Sequence, residues 1–239
     1  MKVIVVKDYE QMSDVAFEIM ASVLDAKEDA VIGLATGTTP IGLYSRMIDD
    51  CKNGRSYAKV KTANLDEYYG IEPSNEQSYV SFMKAKLFDH IDIDQKNTHI
   101  ELSNAKDPQA ECDRYTALLE KMPRDIQVLG IGSNGHVGFN EPNTPFGSDT
   151  HVVDLTESTI KDNSRLFNSI DEVPTKALTM GIKQVMQAKK IILLANGKNK
   201  AKAVYDAIKG KVDEACPASI LQVHPDVTFI VDEDAASLL

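Results

Sequence analysis

The chain has 239 residues, 26 of them Lys or Arg against 36 Asp or Glu, giving a formal net charge of −10 and a pI near 5.0. That length suffices for one substantial core, and the acidic balance argues against a nucleic-acid or anionic-membrane surface, which needs a basic footprint. No apolar run is long enough to span a bilayer, and Met1 to Val6 is too short for a signal peptide, so a cytoplasmic protein is expected. Three widely separated cysteines, Cys51, Cys112 and Cys216, make neither a disulfide framework nor a C-x-x-C motif and are expected to be inert buried thiols.

In chain order, Met1 to Val6 reads as a first strand. Met12, Val15, Ala16, Ile19, Met20, Val23 and Leu24 then fall at helical spacing and predict one core-facing helix stripe. The apolar run Ala30 to Ala35 leads through Thr36-Gly37-Thr38-Thr39-Pro40 into a second helical pattern carrying Leu43, Met47 and Ile48. The alternation continues. A strand over Val60 to Leu65 precedes a helix over Ser78 to Phe88, a helix over Pro108 to Lys121 precedes a strand over Ile126 to Ile131, and a strand over Lys190 to Ala195 precedes a helix over Asn199 to Lys209. Val227 to Val231 supplies a last strand. Repeated βα units predict an α/β fold: a single-domain, doubly wound, mostly parallel open sheet of Rossmann-like type spanning 1–239. The segment 143–175 is polar and less regular, with a short helical stretch around Thr156 to Phe167, and is expected to form a helical lid.

In such a sheet ligands bind at the carboxyl ends of strands, and the candidate motifs sit there. Thr36, Gly37, Thr38 and Thr39 combine a flexible residue with three hydroxyls ahead of Pro40 at a predicted first helical position. Their backbone N–H groups and the helix dipole are suited to an anion such as phosphate. A turn in which Thr39 simply caps the helix reads the same way. The loop is neither a Walker A nor a G-x-G-x-x-G sequence, which disfavours a nucleotide.

Asn64-Leu65-Asp66-Glu67-Tyr68 places adjacent carboxylates just after a strand; Asp66 in a partly desolvated pocket would have the raised pKa of a base for a carbon-bound proton, although such a pair can also be a solvated loop. Gly130-Ile131-Gly132-Ser133-Asn134-Gly135-His136-Val137-Gly138-Phe139-Asn140-Glu141-Pro142 joins four glycines, a histidine that titrates near neutrality and a carboxylate five residues on. It reads as a proton-transfer loop after the strand Ile126 to Leu129. Local cations for an anionic ligand come from Arg165 in the lid-like segment and from Gly197-Lys198-Asn199-Lys200, where Lys200 is preferred for its strand-end position. His90, His99, His151 and His224 show no zinc-site spacing, so no metal is expected.

Together with Leu34 to Pro40 and Ala177-Leu178-Thr179-Met180-Gly181, these motifs resemble glucosamine-6-phosphate deaminase, in matching order over essentially the whole chain. The resemblance implies conversion of glucosamine 6-phosphate and water to fructose 6-phosphate and ammonia with no cofactor or metal. It gives His136, oriented by Glu141, ring opening of the pyranose. Asp66 receives the transfer of the C2 proton to C1, and Thr36 to Thr39, Gly130, Arg165 and Lys200 the substrate and its phosphate. Asn134 stands where some members carry an aspartate, so ring opening is expected to rest on His136 and Glu141 alone. Hexameric members bind the activator N-acetylglucosamine 6-phosphate through an Arg and a Lys after the F-N-E-P run and through a longer C-terminal tail; here His151 and Val153 stand at those positions and the chain ends at Leu239. A monomer or small oligomer without that allosteric site is therefore expected, rather than a hexamer. The alternatives are a 6-phosphogluconolactonase-like hydrolase, which has no need of Asp66, a non-catalytic phosphosugar sensor, and a deaminase preferring the galacto epimer.

Overall fold

The computed structural model describes residues 1–156, 159–161, 164, 167 and 169–239. Its main sheet contains seven strands: β1 (Lys2–Val6), β2 (Val31–Leu34), β3 (Lys61–Asn64), β5 (Thr98–His99), β6 (Ile126–Leu129), β9 (Ile191–Ala195) and β10 (Val227–Asp232). They lie side by side in the order β1-β10-β9-β6-β2-β3-β5, and every pairing is parallel. Both faces of the inner strands β2, β6, β9 and β10 are covered, and these strands accordingly read as mostly apolar runs whose residues alternate between two cores. Ile191, Leu193 and Ala195 point into one core and Ile192 and Leu194 into the other.

Helices α1 (Tyr9–Ala26), α2 (Ile41–Lys52) and α3 (Tyr79–Lys86) cover the face built on Ile32, Val128 and Ile230. Helix α4 (Pro108–Lys121), the short α5 (Ile182–Val185) and α6 (Ala201–Lys209) cover the other. On α1 the predicted stripe is the buried one: Met12, Ala16, Met20 and Leu24 are in the core, with Val15, Ile19 and Val23 packed beside them. Asp8 starts this helix by accepting from Gln11 N at 2.9 Å, and Asp107 starts α4 by accepting from Gln109 and Ala110 N, with Pro108 in the first turn. Helix α3 is shorter than its sequence pattern because Ser78 is its cap and Phe88–His90 tightens into a 3₁₀ turn; likewise Lys198–Lys200 is a 3₁₀ turn ahead of α6.

A second, antiparallel sheet has the order β4-β8-β7, formed by β4 (Asp66–Tyr68), β8 (Lys176–Thr179) and β7 (His151–Asp154). It corrects the sequence reading twice. Asp66 opens a strand instead of a loop, and the segment read as irregular contains β7. The chain passes between sheets at Leu65, whose N–H donates to Leu34 O at 3.1 Å in the main sheet and whose carbonyl accepts from Met180 N at 2.6 Å.

After β1, which lies at the far edge beside β10, the chain enters the sheet at β2 and runs to one edge through β3 and β5, then returns beside β2 and runs the other way through β6, β9 and β10. The reversal falls between the adjacent strands β2 and β6. A crevice opens above such a point because the connections on either side lead away from it in opposite directions.

Candidate active site

The loops leaving β2 and β6 flank a cavity of about 390 Å³ lined by residues that include Thr36 to Thr39, Asp66, Gly130, His136, Thr159 and Lys200. Four sequence-predicted segments, at Thr36 to Thr39, Asp66, Gly130 to His136 and Lys200, thus converge on one chamber, and Arg165 lies outside the described residues. Glu141 and Asn134 stand behind His136 rather than on the cavity wall.

The β2 loop is shaped by two tyrosines of the neighbouring helices. Tyr44 of α2 is fully buried and exchanges hydrogen bonds with the backbone of Ala35, while Tyr9 of α1 donates to Thr38 O at 3.1 Å and accepts from Gly42 N at 2.7 Å. Gly37 adopts φ +97°, a turn open to glycine. The N–H groups of Gly37, Thr38 and Thr39 donate to none of the described residues, which leaves a cluster of donors facing the cavity. Two details differ from the sequence reading. Pro40, not Thr39, is the residue preceding α2, and it forms no side-chain cap; Thr39 instead reaches Asn196 Oδ1 at 3.3 Å, tying this loop to the end of β9. The first N–H groups of α2 are also partly used, Ile41 on Thr38 O and Gly42 on Tyr9, so the donors left over belong chiefly to the loop.

Asp66 is 6 % exposed and no described residue donates a hydrogen bond to its carboxylate. Burial and then the like charge of Glu67 push its pKa up to about 8. Glu67 itself is buried and far from idle: it accepts from Tyr68 N at 2.8 Å and from Tyr79 and Val80 N at 3.0 Å each. It therefore closes the N-terminus of α3 and holds that helix against β4. The aromatic rings of Tyr68, Tyr79 and Phe139 pack together around this junction, with Phe167 edge-on to Tyr68 at 6.0 Å.

The β6 loop folds back on itself through Gly132 N to His136 O at 2.9 Å and Gly135 N to Gly132 O at 3.0 Å. A Cβ on Gly132 would stand 2.3 Å from the imidazole, so the glycine is what lets the ring lie against the backbone. His136 Nδ1 lies 3.5 Å from Glu141 Oε2, just beyond a hydrogen bond. Asn134 spans the pair, its Nδ2 donating to Glu141 Oε2 at 2.7 Å and its Oδ1 accepting from His136 N at 3.2 Å. Thr159 donates to Glu141 Oε1 at 2.8 Å. Burial would raise the Glu141 carboxyl, but His136, Thr159 and Asn134 outweigh it and hold the pKa down to about 2. The expectation that His136 and Glu141 act unaided is thus refined: two neutral donors hold the carboxylate.

Asp66 and the β6 loop also lie close together. Gly138 has φ +59°, and a Cβ there would lie 3.3 Å from Asp66 Oδ2 and 3.0 Å from Thr179 Oγ1, the hydroxyl that accepts from Phe139 N. Sequence reasoning gave no role to Glu67, Thr159 or the two tyrosines and counted Gly138 only among the loop glycines; of these, Glu67 carried a signal in its adjacency to Asp66 and Gly138 in its place in the motif. Among the cysteines Cys112 is buried as expected, whereas Cys51 and Cys216 are half-buried, and burial raises all three thiols.

The combination of an anion cradle, an isolated high-pKa carboxylate and a separate histidine–carboxylate pair suits proton transfers on a phosphorylated sugar. Comparisons with known proteins agree. A sequence model of the glucosamine-6-phosphate isomerases/6-phosphogluconolactonase family matches residues 8–230. The chain is 51 % identical to the glucosamine-6-phosphate deaminase of Clostridium novyi (strain NT) over 241 aligned positions covering both proteins completely. It is 49 % identical to the enzyme of that name from Thermoanaerobacter pseudethanolicus, covering 100 % of this chain and 95 % of the relative. A solved monomeric glucosamine-6-phosphate deaminase superposes with a TM-score of 0.98 at 47 % identity over the whole of both chains. The 6-phosphogluconolactonase from Trypanosoma cruzi shares the fold, with a TM-score of 0.81 at 20 % identity, covering 100 % of this chain and 96 % of that one. The chain belongs to the glucosamine-6-phosphate deaminases, enzymes of carbohydrate metabolism within this isomerase and lactonase family.

Proposed function

We propose that the cavity converts glucosamine 6-phosphate and water to fructose 6-phosphate and ammonia, with the steps divided between two strand ends. The phosphate rests on the free N–H groups of Gly37 to Thr39, with Lys200 and Arg165 as cations. His136 takes the anomeric hydroxyl proton and returns a proton to the ring oxygen, opening the pyranose, while Glu141 stabilises the imidazolium form. Asp66 removes the C2 proton of the open aldose, leaving an enolamine, and delivers it to C1. The resulting imine at C2 is attacked by water, and ammonia leaves. The observation that carries this assignment is Asp66: a buried carboxylate with no donor among the described residues, held above the usual range and lining the same chamber as the Thr36 to Thr39 loop. A lactone hydrolase needs a base to activate water but no carboxylate placed to take a carbon-bound proton.

The reading extends to three points. Segment 143–175 acts as the cover of the site, supported by Thr159 lining the cavity. The protein works as a monomer or small oligomer in the cytoplasm on the gluco epimer; its structural relative is monomeric, and no helix among the described residues is long and apolar enough to cross a membrane. The reaction proceeds without cofactor or metal. The test is purified protein with glucosamine 6-phosphate and no added metal, assayed for both products: equal yields of ammonia and fructose 6-phosphate are expected, and absence of both refutes the assignment.

A further inference from the structure

We propose that Thr159 is a positioning residue for ring opening: its hydroxyl fixes the plane of the Glu141 carboxylate and so aims one oxygen at His136. This rests on the ring-opening role given above to the β6 loop. Among the described residues the two carboxylate oxygens have different partners. Oε2 receives Asn134 Nδ2 at 2.7 Å and faces His136 Nδ1 at 3.5 Å, whereas Oε1 receives Thr159 Oγ1 at 2.8 Å.

The terminal torsion of a glutamate is soft and nearly two-fold, so a single donor on one oxygen leaves the carboxylate free to swing about that contact. Donors on both oxygens remove that freedom. The gap to His136 makes the orientation matter, because an imidazole at 3.5 Å becomes a hydrogen-bond partner only if the oxygen stays in line while the gap closes. The His136 loop cannot supply the second donor: Asn134 already spans Oε2 and the His136 N–H, and Asn140 Nδ2 is spent on the carbonyls of Val137 and Met180. Thr159 comes from beyond β7, eighteen residues from Glu141, and lines the cavity itself.

Ring opening is measured alone in Asp66→Asn protein, where the C2 proton stays in place and the enzyme's only visible act is exchange between the anomers of glucosamine 6-phosphate, followed by NMR exchange spectroscopy. Adding Thr159→Val is expected to slow this exchange about ten-fold or more, the usual consequence of losing a hydrogen bond to a charged group. Thr159→Ser should restore it. Affinity for the open-chain 2-amino-2-deoxyglucitol 6-phosphate, which has no ring to open, should be unchanged in all three proteins. Unaltered exchange in the Thr159→Val protein, equal loss with Ser and Val, or a matching loss of glucitol-phosphate affinity each overturns the proposal. Failure of the Asp66→Asn parent to accelerate exchange overturns the ring-opening role of the loop and this inference with it. Acceleration that survives Thr159→Val overturns the inference alone.

Discussion

At the scale of single residues, the two carboxylates of the site are displaced in opposite directions, and each displacement has a consequence for stability. Asp66 titrates near 8 in the folded chain because it is buried and then because Glu67 lies beside it; unfolded, it titrates near its ordinary value of 3.8. Between those values the folded state holds a proton that the unfolded state has released, so the Asp66 contribution to stability falls as pH rises through that window. Glu141 has the reverse sign: held at about 2 against 4.5, it stabilises the fold above the unfolded value and loses that contribution as pH falls toward 2. Asp66→Asn should therefore abolish product formation, retain binding of a phosphorylated sugar alcohol and raise the melting temperature most at pH 8 to 9. An unchanged or lowered melting temperature there would contradict the burial of a strained acid. Gly138→Ala tests the contact between base and loop. It adds about 1–2 kcal/mol of backbone strain at a left-handed position. The new methyl also presses on Asp66, and displacing a reacting group by about 1 Å costs on the order of 100-fold in turnover. A variant with normal kcat would show that the two strand ends act without touching.

Among the elements, the helices carry more of the chemistry than their distance suggests. Tyr9 of α1 is the brace between the anion cradle and the start of α2, holding Thr38 on one side and Gly42 on the other. Tyr9→Phe removes both bonds with no change of shape, so it is expected to lower stability by about 1 kcal/mol and to raise KM several-fold with little change in kcat. A fall in kcat at constant KM would place Tyr9 elsewhere in the mechanism. How legible each element is in the sequence follows from its length and from where its partners lie. Helix α4 agrees with its predicted ends at both residues because Asp107 and Pro108 mark the start and the apolar period marks the rest. The inner parallel strands β2, β6, β9 and β10 are legible as apolar runs because both their faces are buried. The antiparallel sheet is not: β4 has three residues, too few for any period, and Asp66 pairs with Thr179, whose position no local pattern reveals. The site divides along the same line. Asp66, His136 and Glu141 belong to motifs that cluster in the chain, whereas Thr159 and Tyr9 reach the site only through tertiary packing, and as lone polar residues they carry no mark of it.

At the scale of the whole molecule, His151 and Val153 stand where the resemblance places the activator-binding Arg and Lys of hexameric members. His151 and Val153 occupy β7, with His151 Nδ1 turned to Asp149 O at 2.8 Å and Val153 packed beside the small core around Tyr68. Hyperbolic kinetics, no response to N-acetylglucosamine 6-phosphate and a monomeric or small-oligomer mass by light scattering are expected. Activation by that compound, or a stable hexamer, would refute this. The reversal of winding between β2 and β6 also sets a length. Read across the sheet, Lys200 follows β9, His136 follows β6, the anion cradle follows β2 and Asp66 follows β3, four neighbouring strands in unbroken order. Adjacent strands are about 4.8 Å apart, so these groups hang from a rigid rack about 14 Å wide whose pegs are spaced by backbone hydrogen bonds and not by side-chain reach. Under the proposed roles, the span between phosphate and amine that the site accepts is then set largely by the sheet. Changing it would mean moving a strand.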